Sequence, residues 1–123
     1  MAKKKVFVSF EFDRDLQLKS SLLGQSRQQD SPFAITDFSL QEKQVEATWY
    51  REAQRRIDKC DIFVVILGRD THNAQGVLRE VSVARGLAKR RFQLRPQGKN
   101  WAPIEGAGDV VTWKWKYLKE QFA

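Results

Sequence analysis

Strand-like and helix-like segments alternate without a break along this chain, which predicts an α/β sandwich of three layers, one parallel sheet with helices on both faces. Three observations carry that prediction. Residues 5–10 (KVFVSF) and 62–67 (IFVVIL) are short runs, apolar on both faces apart from Ser9, as strands covered from both sides are. The segments between and after them repeat their apolar residues every three or four positions, as helices do. Five strand-like segments occur in all, with no internal repeat and no low-complexity tract. With right-handed crossovers, five such strands favour the flavodoxin-like order 2-1-3-4-5, first and third strands adjacent at the centre. At 123 residues, 41% of them hydrophobic, the chain has material for one core, and residues 1–123 read as a single domain.

The first strand, Lys5 to Phe10, leads into a helix that Asp13 or Asp15 can cap; Leu16, Leu18, Leu22 and Leu23 supply its apolar side and Gly24 stops it. Gln25 to Pro32 is a polar loop. Phe33 to Phe38 (FAITDF) alternates more than the other strands, which suits the sheet edge. Ser39 to Lys43 links it to a second helix, in which Val45, Trp49, Ala53 and Ile57 recur every fourth residue, with Arg51, Glu52, Arg55 and Lys59 outside. The third strand, Ile62 to Leu67, ends at Gly68, and a polar loop, Arg69 to Asn73, precedes a helix that begins near Gln75 or Gly76. On that helix Val77, Val81, Ala84, Leu87 and Ala88 share one side, and Arg79, Ser82, Gly86 and Arg90 lie opposite. Arg91 to Leu94 is a weak fourth strand cut short by Pro96. A loop with Gly98, Pro103, Gly106 and Gly108 leads to a short fifth strand, Val110 to Thr112. The last helix, Trp113 to Phe122, turns Trp115, Leu118 and Phe122 inward.

One residue breaks the helical pattern. Glu80 falls between Leu87 and Ala84 on the third helix, inside the apolar stripe and one turn from its start. A carboxylate there is costly unless something uses it. In the predicted strand order, ligands bind beyond the carboxyl ends of the strands, at the switch point between the first and third. Those ends carry Phe10-Glu11-Phe12 and Gly68 to His72, with Glu80 just behind. A Glu so placed can hold ribose hydroxyls and stabilise positive charge at an anomeric carbon, as carboxylates do in glycoside cleavage. It can equally be structural, completing a capping box and gaining about 0.3–1 kcal/mol from the helix dipole.

Motifs and composition narrow the classes. G-x-G-x-x-G is missing after the first strand, and so is the P-loop pattern, which argues against dinucleotide-fold and Walker-type chemistry. Glu11, Asp13 and Asp70 only superficially imitate a receiver domain, because Asp70 lies past Gly68 and no lysine ends the fifth strand. With one His and one Cys, a zinc site is not expected, and no G-x-S-x-G supports a serine hydrolase. The net charge of +7 is uneven: residues 1–78 carry twelve Lys/Arg against eleven Asp/Glu, residues 79–123 ten against four. That excess suits a phosphate-bearing partner, although a solvated basic face accounts for it as well; nucleic acid is not expected. The lone Cys60 excludes an intrachain disulfide and fits a reducing compartment. The apolar stretch behind MAKKK is too short for a signal peptide, and no run approaches the ~20 apolar residues of a membrane span. A cytoplasmic protein without membrane partners is the expectation.

Four blocks, VFVSFEFDRD, DSPFAITDFSL, DIFVVILGRDTH and GVLREVSVAR, occur in the order in which they resemble the TIR-like domains of the Thoeris anti-phage defence system, over about residues 4–95. The resemblance implies a flavodoxin-like fold and a likeness to bacterial TIR enzymes, which break the nicotinamide–ribose bond of NAD. Thoeris members turn NAD into a cyclic ADP-ribose-type messenger once infection is sensed, and the messenger switches on a partner effector. NAD is thus the implied substrate, and neither cofactor nor metal is implied. Val77-Leu78-Arg79-Glu80 matches the V-x-x-E part of the family's catalytic motif, so the resemblance makes Glu80 the catalytic residue. By the same token Ser9, Phe10 and Phe12 match the segment that faces the nucleotide. Asp37, Phe38 and Ser39 match the start of the loop that covers the ligand and builds assemblies, which implies a homo-oligomer during signalling, with residues 39–46 in contact. Thr71 and His72 match the loop beside the catalytic helix, where His72 or a nearby aromatic would contact nicotinamide. Gly76 stands where the family commonly carries an aromatic.

Two further classes stay open at this level: a non-catalytic TIR-type adaptor, and a deoxyribosyltransferase-like nucleoside enzyme that shares the sheet and a catalytic Glu. Glu80 inside the apolar stripe favours either enzyme over the adaptor, and the basic C-terminal third favours a diphosphate substrate over a bare nucleoside.

Overall fold

Strand residues with apolar side chains on both faces can be satisfied only inside a covered sheet, and the chain builds one. The computed structural model describes residues 3–12, 14–40 and 46–123, the side chain of Glu46 excepted. Strands β1 (Lys4–Ser9), β2 (Phe33–Phe38), β3 (Ile62–Ile66), β4 (Arg90–Arg95) and β5 (Asp109–Thr112) alternate with helices α1 (Leu16–Ser26), α2 (Glu46–Asp58), α3 (Gln75–Gly86) and α4 (Trp115–Phe122). Every strand pairing is parallel, and the order is β2-β1-β3-β4-β5, the flavodoxin-like order that the alternation predicts. β1 and β3 are central neighbours, Val6 opposite Ile62, and β2 takes the edge.

Strand periodicity splits the apolar residues into two cores. Phe7, Phe63, Val65 and Leu67 face Trp49, Ala53 and Ile57 of α2 and Val77, Val81 and Ala84 of α3. Val6, Val8, Ile62, Val64 and Ile66 face the other way, onto Leu22 of α1 and Leu118 and Phe122 of α4. All five residues of β3 are buried. The every-fourth-residue pattern of α2 is borne out at Trp49, Ala53 and Ile57; Val45 lies outside the described residues, as does Asp13.

Elsewhere local chemistry corrects the expectations. Asp15 precedes α1 but makes no side-chain cap, because its carboxylate is engaged elsewhere; Leu16 is 51% exposed, and of the four leucines only Leu22 is buried. Gly24 does not stop α1, which runs on to Ser26, since an exposed glycine in a helix costs only about 1 kcal/mol. α3 ends at Gly86, so Leu87 and Ala88 leave the stripe they were assigned to. There Lys89 N–H bonds the Ala84 carbonyl, Ala88 N–H bonds the Arg85 carbonyl, and Ala88 takes the left-handed turn (φ 51°) usually given to glycine. β4 is a full strand of six residues despite its charges. Its buried Gln93 donates to the Ile104 and Gly108 carbonyls (2.9 and 2.8 Å) and accepts from Ile104 N–H (2.6 Å), which anchors the β4–β5 loop. α4 begins at Trp115, because Trp113 still hydrogen-bonds Arg95 in sheet fashion (2.8 Å). Among the described residues no helix is long and apolar enough to cross a membrane.

Candidate functional site

Along β1 every second side chain faces α2 and α3, so Phe7 is followed on that face by Ser9, the strand's last residue. Ser39 is the first residue past β2, and Glu80 stands in the second turn of α3. These three meet. Glu80 is wholly buried; its Oε1 accepts from Ser9 Oγ (2.7 Å) and from Ser39 Oγ, and its Oε2 accepts from the Leu40 N–H (2.9 Å). Ser39 is itself fixed, its N–H donating to the Val8 carbonyl (2.9 Å) and its Oγ accepting from the Phe10 N–H (2.9 Å). The helix stripe thus delivers a carboxylate to the ends of two strands, where one amide and two hydroxyls receive it.

Burial pushes the Glu80 carboxyl up from 4.5 to about 7, against the donors Ser39, Ser9 and Leu40, which pull it down; the nearby charge of Asp37 adds to the rise. Around neutral pH the group is therefore poised between its two forms. Asp37 accepts from the Phe38 N–H (3.0 Å) and faces Arg56 of α2 (3.3 Å). Asp37 reaches its position through a register shift between Val6 and Phe7 in the pairing of β1 with β2.

The remaining sequence candidates divide. Phe10 is buried in the opposite core, with Phe12 and Phe38 packed against it, at 4.7 and 6.1 Å between ring centroids. Their rings belong to the α1 and α4 face rather than to Glu80; only the backbone N–H of Phe10 joins the site, through Ser39. Lys19 lies over the Phe38 ring at 4.7 Å. Thr71 is fully buried and its hydroxyl is engaged apart from Glu80: its Oγ1 accepts from the Gly68 N–H (2.7 Å) and donates to Asp15 Oδ2 (2.9 Å). His72 is half-buried, its Nε2 3.3 Å from Asn73 Nδ2 and its Nδ1 without a hydrogen-bond partner among the described residues. Gly76, half-buried in the first turn of α3, brings no aromatic wall.

Three contributors escaped sequence reasoning. The Leu40 amide has no side-chain signature. Gly68 reads as a strand terminator, yet a Cβ there would stand 2.3 Å from both Asp15 carboxylate oxygens, so any side chain would have to push that carboxylate aside. Asp15 reads as a helix cap; burial raises its carboxyl, and it closes the β1–α1 loop onto the loop after β3. Arg14 makes a second tie across the same gap, to Asp70. Among the described residues no group of three or more His, Cys, Asp or Glu could hold a metal ion.

A doubly covered 2-1-3-4-5 sheet, with a buried glutamate received by serine hydroxyls at the ends of β1 and β2, defines a TIR-like α/β domain. The model of the family described as Thoeris protein ThsB, TIR-like domain, matches residues 7–100, and the chain belongs to that family, a TIR-type defence module. The match takes in Ser9, Ser39 and Glu80 and leaves β5 and α4 outside. Among curated proteins no match to the chain is found.

Proposed function

We propose that the chain is an enzyme that cleaves the nicotinamide–ribose bond of NAD, with Glu80 as its catalytic carboxylate. One observation carries this reading: a fully buried carboxylate at the carboxyl ends of β1 and β2, held among the described residues by Ser9, Ser39 and the Leu40 amide. A ribose offers the same kind of donors, a pair of hydroxyls. Substrate reaches Glu80 when Ser39 and Leu40 give up their hydrogen bonds to the sugar diol. As the C1′–N bond breaks, the electron pair leaves with neutral nicotinamide, and the ionised carboxylate faces the oxocarbenium-like ribose in a water-poor site, where such a contact is strongest. The cation is then captured by water or, in the reaction the family implies, by a nucleophile of the same molecule, which gives a cyclic ADP-ribose-type messenger for a partner effector. Self-association during signalling and a cytoplasmic location belong to the same proposal. Its contact segment, 39–46, includes residues 41–45, which lie outside the described residues. The excess of positive charge in residues 79–123 supports a diphosphate-bearing substrate.

The complete burial of Glu80 favours a second reading, a non-catalytic module in which Ser9, Ser39 and Glu80 are a structural cluster. Incubating the purified chain with NAD, at concentrations that permit assembly, and measuring nicotinamide separates the two. Release that disappears in a folded Glu80→Gln variant supports catalysis; release that persists in that variant removes Glu80 from the chemistry.

A further inference from the structure

α3 carries Glu80 but has no side-chain cap at its start. What fixes its first turn lies upstream. Ala74, the residue before α3, donates its N–H to the Thr71 carbonyl (3.0 Å), and its own carbonyl receives the Leu78 N–H (3.0 Å). Thr71 is in turn pinned from two sides, by the Gly68 N–H at the end of β3 and by the Asp15 carboxylate at the start of α1. Asp15 is anchored by its own N–H to the Glu11 carbonyl (2.9 Å) and by the Lys19 N–H to its carbonyl (3.0 Å). A continuous chain of hydrogen bonds therefore runs from the β1–α1 loop through Thr71 to the helix that holds Glu80 at 2.7 Å from Ser9.

We propose that Asp15 and Thr71 are positioning residues for the Glu80 site: their buried hydrogen bond sets where α3 begins, and thereby how closely Glu80 meets Ser9, Ser39 and the Leu40 amide. A helix freed at its first turn can slip or rotate by a fraction of a residue, and a displacement of that size is enough to break bonds whose strength depends on tenths of an ångström. The bonds to Ser39, Ser9 and Leu40 lower the proton affinity of Glu80, so the position of α3 is legible in the titration of that one carboxyl. Among the described residues the charged groups that bear on it are Asp37, which raises it, and Arg56 of α2, which pairs with Asp37; on Asp15 they are Asp70 and Arg14.

The test is a carbon-13 carboxyl titration of Glu80 by NMR in the full chain, with melting temperatures measured alongside, for wild type, Thr71→Val, Thr71→Ser and Asp15→Ala. Wild type titrates near 7. Valine keeps the shape of threonine but removes the hydroxyl, and Asp15→Ala removes the acceptor while sparing the bond from Gly68. Both raise the Glu80 midpoint by about one pH unit, the size expected for weakening one charge-directed hydrogen bond, and Thr71→Ser restores it. A midpoint that holds or falls in both variants, whatever happens to their melting temperatures, overturns the proposal and leaves the bond a plain structural staple. Should Thr71→Val fail to fold, Asp15→Ala decides. A second arm rests on the proposed activity: nicotinamide release at pH 7 falls about fivefold in the two variants, with the ionised fraction of Glu80, and returns in Thr71→Ser. Where the wild type shows no turnover, the titration alone judges the positioning.

Discussion

Replacing Glu80 by glutamine tests how the fold tolerates this carboxyl, apart from any chemistry. The group titrates at 4.5 when unfolded and at about 7 in the folded chain. A folded-state value above the unfolded one means that the native protein binds the proton more tightly. The resulting stability is fully present below pH 4.5 and is lost as the pH rises through 7. The gap of about 2.5 pH units, at about 1.4 kcal/mol each, makes the wild type about 3 kcal/mol less stable at pH 8 than at pH 4.5 on this account alone. Glutamine cannot titrate. Its carbonyl can still accept from the Leu40 N–H, and its amide can donate to Ser9 and Ser39 once their hydroxyls rotate.

Urea unfolding of both proteins at intervals from pH 5 to pH 8 reads the difference directly. Groups common to both proteins cancel. The stability of Glu80→Gln relative to wild type should climb by about 2–3 kcal/mol across that range, or about 10 °C in melting temperature for a chain of this length. Parallel profiles would refute the reasoning, because they would mean that Glu80 is already ionised throughout, with hydrogen bonds strong enough to cancel its burial.

Three other substitutions probe the supports of the site. Gly68→Ala drives a Cβ to 2.3 Å from the Asp15 oxygens and should cost about 1–3 kcal/mol; adding Asp15→Ala should recover part of that, and strictly additive unfolding energies would deny the contact. Ser39→Ala takes a donor from Glu80 and the acceptor from the Phe10 N–H, so the domain should lose about 1–3 kcal/mol in urea unfolding while the NMR midpoint of Glu80 rises; a lower midpoint would contradict the assigned donor. Phe122→Ala removes a fully buried ring stacked on Phe33 at 4.3 Å between centroids and should cost about 3–5 kcal/mol, although it lies outside the family match; a loss below about 1 kcal/mol would make α4 an appendage.

The sheet was legible because apolar runs leave a strand few alternatives. IFVVIL can be satisfied only between two covered faces, and once Val6–Phe10 has the same need the two must be neighbours. Helix ends were read less well because backbone geometry decides them. A left-handed Ala88 closes α3, and no residue type announces that turn. At the site, the helical phase of Glu80 was enough to place it against the strand ends, because a carboxylate in an apolar stripe needs donors. The family resemblance also names Phe10, Phe12 and Phe38, whose rings pack in the core on the other side of the sheet from Glu80. Proximity in sequence to Ser9 and Ser39 says nothing about sheet face, and strand alternation sends neighbouring side chains to opposite cores. Thr71 was named for its loop but faces Asp15, since a hydroxyl in a tight turn takes whichever backbone amide and carboxylate lie nearest.

Taken singly, three polar residues each violate the pattern of their own element. Ser9 stands where β1 calls for a successor to Phe7, Glu80 interrupts the stripe of α3, and Ser39 is buried just past an edge strand. Each would be destabilising alone, yet together they satisfy one another, because parallel topology brings the ends of β1 and β2 to the same edge and α3 packs over it. Core packing alone would be served as well by three apolar side chains at these points, and for buried ion clusters such replacements are often neutral or stabilising. The arrangement is therefore consistent with the fold without being required by it. Local rules that fail together and resolve only in space mark the places where a fold departs from its most stable sequence, and such departures gather at functional sites. That argument, independent of family membership, is what singles out the meeting point of Ser9, Ser39 and Glu80 from the rest of the covered sheet.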